Sequence, residues 1–193
     1  MFGNQIKIKL KREFFERKTL VVARELLGKY LIHRIGTKII SGMITETEAY
    51  HGFRDLASHA SRGRTKRTEI MFGPAGHAYI YLIHGMYYCL NVVTEREEYP
   101  AAVLIRGVEI DQKSNLKNKN FKSKIKIDGP GKLTRHFQID KNLNGIDVTA
   151  SRELWIEDRG LRIPSRSIKR TPRIGIDYAG PYKDKKWRFI LKP

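Results

Sequence analysis

Lys38-Ile39-Ile40-Ser41-Gly42-Met43-Ile44 runs without a break into Thr45-Glu46-Thr47-Glu48-Ala49-Tyr50. β-Branched and apolar residues dominate the first half and no proline interrupts either, so the stretch reads as one continuous strand. The two-residue period of a strand puts Glu46, Glu48 and Tyr50 on one face and Thr45, Thr47 and Ala49 on the other. Two carboxylates and a phenol then share a surface. Just upstream, Ile35-Gly36-Thr37 reads as a turn that joins this strand to another over residues 29–33. Earlier still, Leu20, Ala23, Leu26 and Leu27 recur at helical spacing, with Thr19 as the N-cap and Gly28 as the C′ terminator of a short amphipathic helix.

Downstream, residues 51–67 are polar and end in Arg62-Gly63-Arg64-Thr65-Lys66-Arg67, a basic loop suited to phosphates through Arg62, Arg64, Lys66 and Arg67. Pro74-Ala75-Gly76 marks a turn. Residues 78–83 and 87–94 then read as the arms of a β-hairpin, with Tyr79 and Tyr81 facing together. Gly85 can take a positive φ at its tip, which would project His84, flanked by Met86 and Tyr87, away from the body. Residues 101–105 are a near-continuous apolar run, so Arg106 leaves a buried strand and should be held by a partner. Residues 111–126, rich in Lys and Asn, read as a mobile basic insert. Gly129-Pro130-Gly131-Lys132-Leu133 announces a helix, and the remainder alternates short apolar runs with Arg and Lys. The chain shows no internal repeat.

With 193 residues, the chain fits one domain, 1–193, able to bury roughly 70% of its unfolded surface. Thirty-eight basic against 20 acidic residues give a net charge of +18, which points to a polyanionic partner. Cys89 is the only cysteine, so no internal disulfide forms, and no Cys/His cluster suggests zinc. A reducing, cytoplasmic setting is expected. No apolar run approaches the roughly 20 residues that span a bilayer, and no basic amphipathic helix suggests membrane binding.

Base chemistry on DNA needs this mixture of groups. Excess Lys and Arg attract backbone phosphates, flat π-surfaces receive an extruded base, and a positioned carboxylate activates water against its sugar. Glu48 fits the carboxylate role, and Tyr50, His59 and Tyr81 can sandwich a purine, each stacking contact being worth roughly 1–3 kcal/mol. The plainer reading makes Glu48 a surface glutamate and the aromatics core packing. Glu46 reads as solvated or structural, or, with Glu48 and Asp55, as a divalent-cation site.

The ordered set Gly42-Met43-Ile44-Thr45-Glu46-Thr47-Glu48-Ala49-Tyr50, His59, Met71-Phe72, Tyr79-Ile80-Tyr81, Gly85-Met86-Tyr87-Tyr88-Cys89-Leu90-Asn91 and Val103-Leu104-Ile105-Arg106 resembles the alkyladenine (3-methyladenine) DNA glycosylase family. Gly129-Pro130-Gly131-Lys132-Leu133 matches a further family signature, and the resemblance runs from about Leu20 into the C-terminal region. Single tetrapeptides are weak signals; the ordered set is highly specific.

The resemblance implies a single α+β domain with a curved, largely antiparallel sheet, flanking helices and a protruding hairpin. It implies binding in the minor groove of double-stranded DNA and extrusion of a damaged purine into a pocket. By motif position, Glu48 activates water, Arg106 helps to hold that water, Tyr50, His59 and Tyr81 stack on the base, and Asn91 disfavours the guanine 2-amino group. At the hairpin tip, where better-known members place a tyrosine, this chain has His84, with Met86 and Tyr87 beside it in the minor groove. A monomer without metal or organic cofactor is expected, and no lysine sits in the constellation to act as a nucleophile. The alternatives are a non-catalytic basic protein binding RNA or ribosomes and, behind it, a metal-dependent nuclease.

Overall fold

The computed structural model describes residues 7–83, 85–111 and 124–192. A short strand β1 (Ile8–Lys9) and two small helices, α1 (Arg12–Phe15) and α2 (Thr19–Glu25), precede the strands β2 (Tyr30–Ile35) and β3 (Lys38–His51). The hairpin β4 (Ala78–Ile83) and β5 (Tyr87–Val93) follows, then β6 (Ala101–Asp111), β7 (Lys124–Asp128) and the helix α3 (Pro130–Phe137). The chain ends in β8 (Leu154–Asp158), β9 (Ile168–Thr171) and β10 (Arg188–Leu191).

Among the described residues these strands form one sheet in the order β1-β8-β2-β3-β6-β5-β4, with β7 added to β6 and β10 joining β3 to β9. Each pairing is antiparallel. The long strand β3 organises the whole. Its first half pairs with β2, its second half pairs with β10 at Glu46, Thr47 and Glu48, and its other edge carries β6. The register across β6 slips on both sides of Glu46, a bulge of the kind that bends a strand and re-aims its side chains.

Alternation along the central strands separates two layers. Ile44 and Ala49 of β3, Ile80 of β4, Leu90 and Val92 of β5, and Val103 and Ile105 of β6 join the large core under Val22, Ala23 and Leu26 near α2 and Leu133 and Phe137 of α3. Each fully buried side chain of this size contributes about 1.5–3 kcal/mol. The opposite face, with Tyr79, Val93 and Ala102, packs against Ala60, Met71 and Phe72 from the 3-10 turns between β3 and β4. The same face carries Glu46 and Glu48 of β3 and Arg106 of β6.

The strand through the two glutamates, the hairpin and the helix at Pro130 form as their patterns predict. Thr19 does not cap its helix: Lys18 occupies the N-cap, and the Thr19 hydroxyl donates to Glu95 Oε1 at 2.5 Å. Nor is Gly28 at C′; Leu26 is the C-cap, and Gly28 turns the chain two residues later with φ of 81°. The strand expected over 29–33 instead covers Tyr30–Ile35. The basic loop contains a 3-10 turn at His59–Arg62, started by Ser58, whose side chain accepts from the Ala60 N–H.

Both ends of the insert expected over 111–126 belong to strands. Asp111 ends β6, and Lys124 to Lys126 belong to β7, where they pair with Asp111, Ile110 and Glu109. Cross-strand pairing overrides the weak local propensity of a Lys-rich segment. Residues 112–123 lie outside the described residues, as does His84. Gly131 sits where a Cβ would come within 2.9 Å of Tyr87 Cβ, so the helix start lies close against the return arm of the hairpin. Thr134 secures that contact, its hydroxyl donating to the Tyr88 carbonyl at 2.9 Å.

Candidate active site

A cavity of about 110 Å³ opens on the face of the sheet opposite the main core. Leu104 and Ala102 of β6 and Cys89 and Asn91 of β5 line it from the middle of the sheet. Tyr50 comes from β3 and Tyr79 and Tyr81 from β4, three strand spacings away, or about 14 Å between backbones. Ala57, Ser58 and His59 and the segment with Ile174, Gly175 and Tyr178 complete the lining. Ile174 and Tyr178 are largely exposed and edge the mouth.

The aromatic wall is tightly coupled. His59 meets Tyr81 edge to face, with centroids 4.5 Å apart and planes at 76°, and its Nδ1 lies 3.0 Å from the Tyr79 hydroxyl. Burial, with Arg67 and Arg62 nearby, lowers the His59 pKa to about 4, so the ring is neutral at neutral pH. Burial pushes the phenols of Tyr50 and Tyr81 upward and that of Tyr79 up to about 12. The wall is therefore uncharged. Arg67 caps it from outside, 5.2 Å from the Tyr81 ring centroid.

Glu48 lies at the Tyr50 end and is completely buried. Its Oε1 accepts the Ile174 backbone N–H at 2.9 Å and its Oε2 accepts the Tyr50 hydroxyl at 2.9 Å. Arg106 Nη1 stands 3.5 Å from Oε2. Burial raises the carboxyl pKa above its ordinary range; Arg106, the Ile174 N–H, Tyr50 and Arg188 oppose that rise without cancelling it. Arg106 is itself held by Glu46, its Nε donating to Oε1 at 2.9 Å, as its exit from a buried strand predicts.

Glu46 is not solvated. It is almost fully buried, and its Oε1 also accepts from Arg188 Nε at 2.6 Å. Asp55 is occupied too, by a bidentate pair with Arg173 at 2.6 and 2.8 Å in which neither side chain is exposed. With a guanidinium on each of Glu46, Glu48 and Asp55, the arrangement does not fit a divalent cation, and the described residues contain no cluster of acidic, His or Cys groups suited to one.

The structure thus brings Glu48, Arg106, Tyr50, His59, Tyr81 and Asn91 to one cavity or its edge. The Asn91 Nδ2 donates to the Tyr79 carbonyl at 3.0 Å, which fixes the orientation of its amide. Met86 and Tyr87 are exposed at the hairpin end. Arg62, Arg64, Lys66 and Arg67 are exposed, although Arg64 pairs with Glu98 and Glu69 and lies over Phe72.

Sequence reasoning missed Arg173, which lies 4.8 Å from the Tyr50 ring centroid and 5.0 Å from that of Trp187, and it missed Arg188 and the Ile174 N–H. Only the alternation in Trp187-Arg188-Phe189-Ile190 signals the strand that delivers Arg188. Nothing local marks the other two.

A buried carboxylate between arginines, at the edge of a neutral aromatic cavity on an antiparallel sheet, is the equipment of a base-processing enzyme. The methylpurine-DNA glycosylase family model matches residues 13–193. A protein of Methanocella arvoryzae, named "Putative 3-methyladenine DNA glycosylase", is 50% identical over 187 residues, covering 95% of this chain and 92% of its own. Proteins of the same name from Legionella pneumophila (strain Corby) and Rickettsia felis are 47% and 48% identical over 184 residues, with 95% of this chain covered in each case and 94% and 93% of theirs. The chain belongs to the methylpurine-DNA glycosylase family.

Proposed function

We propose that the protein removes alkylated purines such as 3-methyladenine from double-stranded DNA by turning the damaged nucleotide into the aromatic cavity and hydrolysing its N-glycosidic bond. The observation that carries this reading is Glu48, a fully buried carboxylate of raised pKa at the edge of a cavity walled by Tyr50, His59 and Tyr81. An alkylated purine cation is electron-poor, and neutral rings offer it stacking without charge repulsion. The C1′–N bond breaks with its electron pair leaving on the base, a water oxygen bonds to C1′, and Glu48 takes the water proton. Each Glu48 oxygen accepts one hydrogen bond and keeps a lone pair; because the side chain is closed to solvent, the reading requires a small opening beside Arg106 to admit the water. The same carboxylate faces the oxocarbenium-like charge that develops on the sugar.

Asn91, with its amide fixed by Tyr79, crowds the position of a guanine 2-amino group. Arg62, Lys66 and the basic C-terminal third supply phosphate contacts, while His84, Met86 and Tyr87 fill the space the nucleotide vacates. No lysine lines the cavity among the described residues, so the product is an intact abasic strand rather than a Schiff base. An RNA-binding module needs no buried glutamate between arginines. Incubating a duplex that carries one 3-methyladenine with the protein in EDTA tests the reading. Free base, an unbroken abasic strand and no borohydride-trapped adduct are expected; EDTA-sensitive strand cutting, or RNA binding without base release, would overturn it.

A further inference from the structure

Glu46 and Glu48 project from the same face of β3, two carboxylates in a site almost closed to solvent. Like charges so placed oppose each other's ionisation. Two arginines flank them from the two neighbouring strands. Arg106 reaches from β6, its Nε on Glu46 and its Nη1 toward Glu48. Arg188 is the direct cross-strand partner of Glu48 on β10, a position with about 4.5–5.5 Å between Cβ atoms. It bonds to Glu46 rather than to Glu48, so a single oxygen, Glu46 Oε1, receives the Nε–H of both arginines.

We infer that Glu46 and Arg188 are positioning residues for the proposed excision: Glu46 aims Arg106 past Glu48, and Arg188 balances the second carboxylate so that Glu48 ionises at working pH. The inference rests on the glycosylase reading above and adds to it two residues outside the cavity wall. Two acids and two bases make the cluster neutral overall. Deleting either outer member therefore shifts the field at Glu48, in opposite senses. Without the Glu46 charge, two arginines face Glu48 alone and favour its anion; without Arg188, two carboxylates share one arginine and favour its acid. The bulge at Glu46 and the absence of a side chain at Gly107, where a Cβ would stand 3.2 Å from Glu46 Cβ, allow this crowding of charge.

The other groups around Glu48 leave the sign of these effects unchanged. Tyr50 on the same strand and Cys89 on β5 are both held neutral by burial. The Ile174 N–H is a fixed dipole, and Arg173, against Tyr50, is neutralised by Asp55.

Single-turnover release of 3-methyladenine from a duplex, measured from pH 4 to 9, tests the inference. In the wild type the rate rises with pH as Glu48 loses its proton. Glu46→Gln should move that acid limb to lower pH and Arg188→Gln to higher pH, each by about one pH unit, and Arg188→Lys should restore the wild-type limb. Reduced plateau rates with unmoved limbs would assign both residues a purely structural role, and weaker DNA binding with an unmoved limb would make Arg188 only a phosphate contact; either result overturns the inference. If Glu46→Gln does not fold, the Arg188→Gln and Arg188→Lys pair decides alone. Glu48→Gln, run alongside, separates this outcome from failure of the glycosylase reading, because activity in that variant would remove the group on which both arginines act.

Discussion

At the scale of single residues, environment rather than identity separates the groups proposed for the chemistry from their neighbours. Three carboxylates near the cavity each face arginine; Glu48 also accepts a backbone N–H and a phenol, and burial raises its pKa. His59 illustrates the same rule from the opposite side. Its ring is desolvated and stands near two arginines, so its protonated form is penalised. NMR titration should find His59 with a pKa of about 4, and Arg67→Ala should raise it, since one opposing charge is removed. Titration near the ordinary value of about 6.5 would show that the wall is charged under mildly acidic conditions. Glu48, Tyr50, His59, Tyr81 and Arg106 were legible in the sequence because strand alternation and motif order locate them. Arg173 and Arg188 were not, because their significance comes from partners 118 and 142 residues away.

At the scale of elements, the hairpin and the helix behind it act as one unit. Gly131 allows α3 to start against Tyr87, and Thr134 bonds the return arm. Gly131→Ala should therefore push Tyr87 outward, lowering stability by about 1–3 kcal/mol and displacing the tip. A thermal melt unchanged from wild type would show that the contact is soft. For the tip itself we propose His84 as the wedge. Extruding a well-paired base costs a few kcal/mol and a mispaired one less, so His84→Ala should slow excision more from a stable pair than from a mismatch. Equal slowing on both would pass the role to Met86 or Tyr87. Periodicity gave the hairpin arms to within a residue, since both arms alternate between core and cavity. It failed at residues 124–126, where cross-strand partners on β6 rather than local propensity make Lys124–Asp128 a strand.

At the scale of the whole molecule, the large apolar core covers one face of the sheet and the other carries the cavity beside a smaller apolar cluster, while the net charge of +18 favours a polyanionic partner. Affinity for undamaged duplex should fall steeply with salt, each phosphate contact adding about −0.9 to the log–log slope. Arg62→Ala with Lys66→Ala should flatten the slope by about two contacts, whereas Arg64→Ala should change it less, since Glu98 and Glu69 already engage that side chain. A slope indifferent to all three would place the DNA elsewhere. The central claim is that a buried carboxylate at the edge of an aromatic cavity drives hydrolysis, and Glu48→Gln tests it most directly. The amide keeps the shape and loses the base, so single-turnover excision of 3-methyladenine should fall by at least about 10²–10⁴-fold, with binding to lesion-bearing duplex retained. Excision within a factor of about two of wild type, at unchanged affinity, would contradict the account.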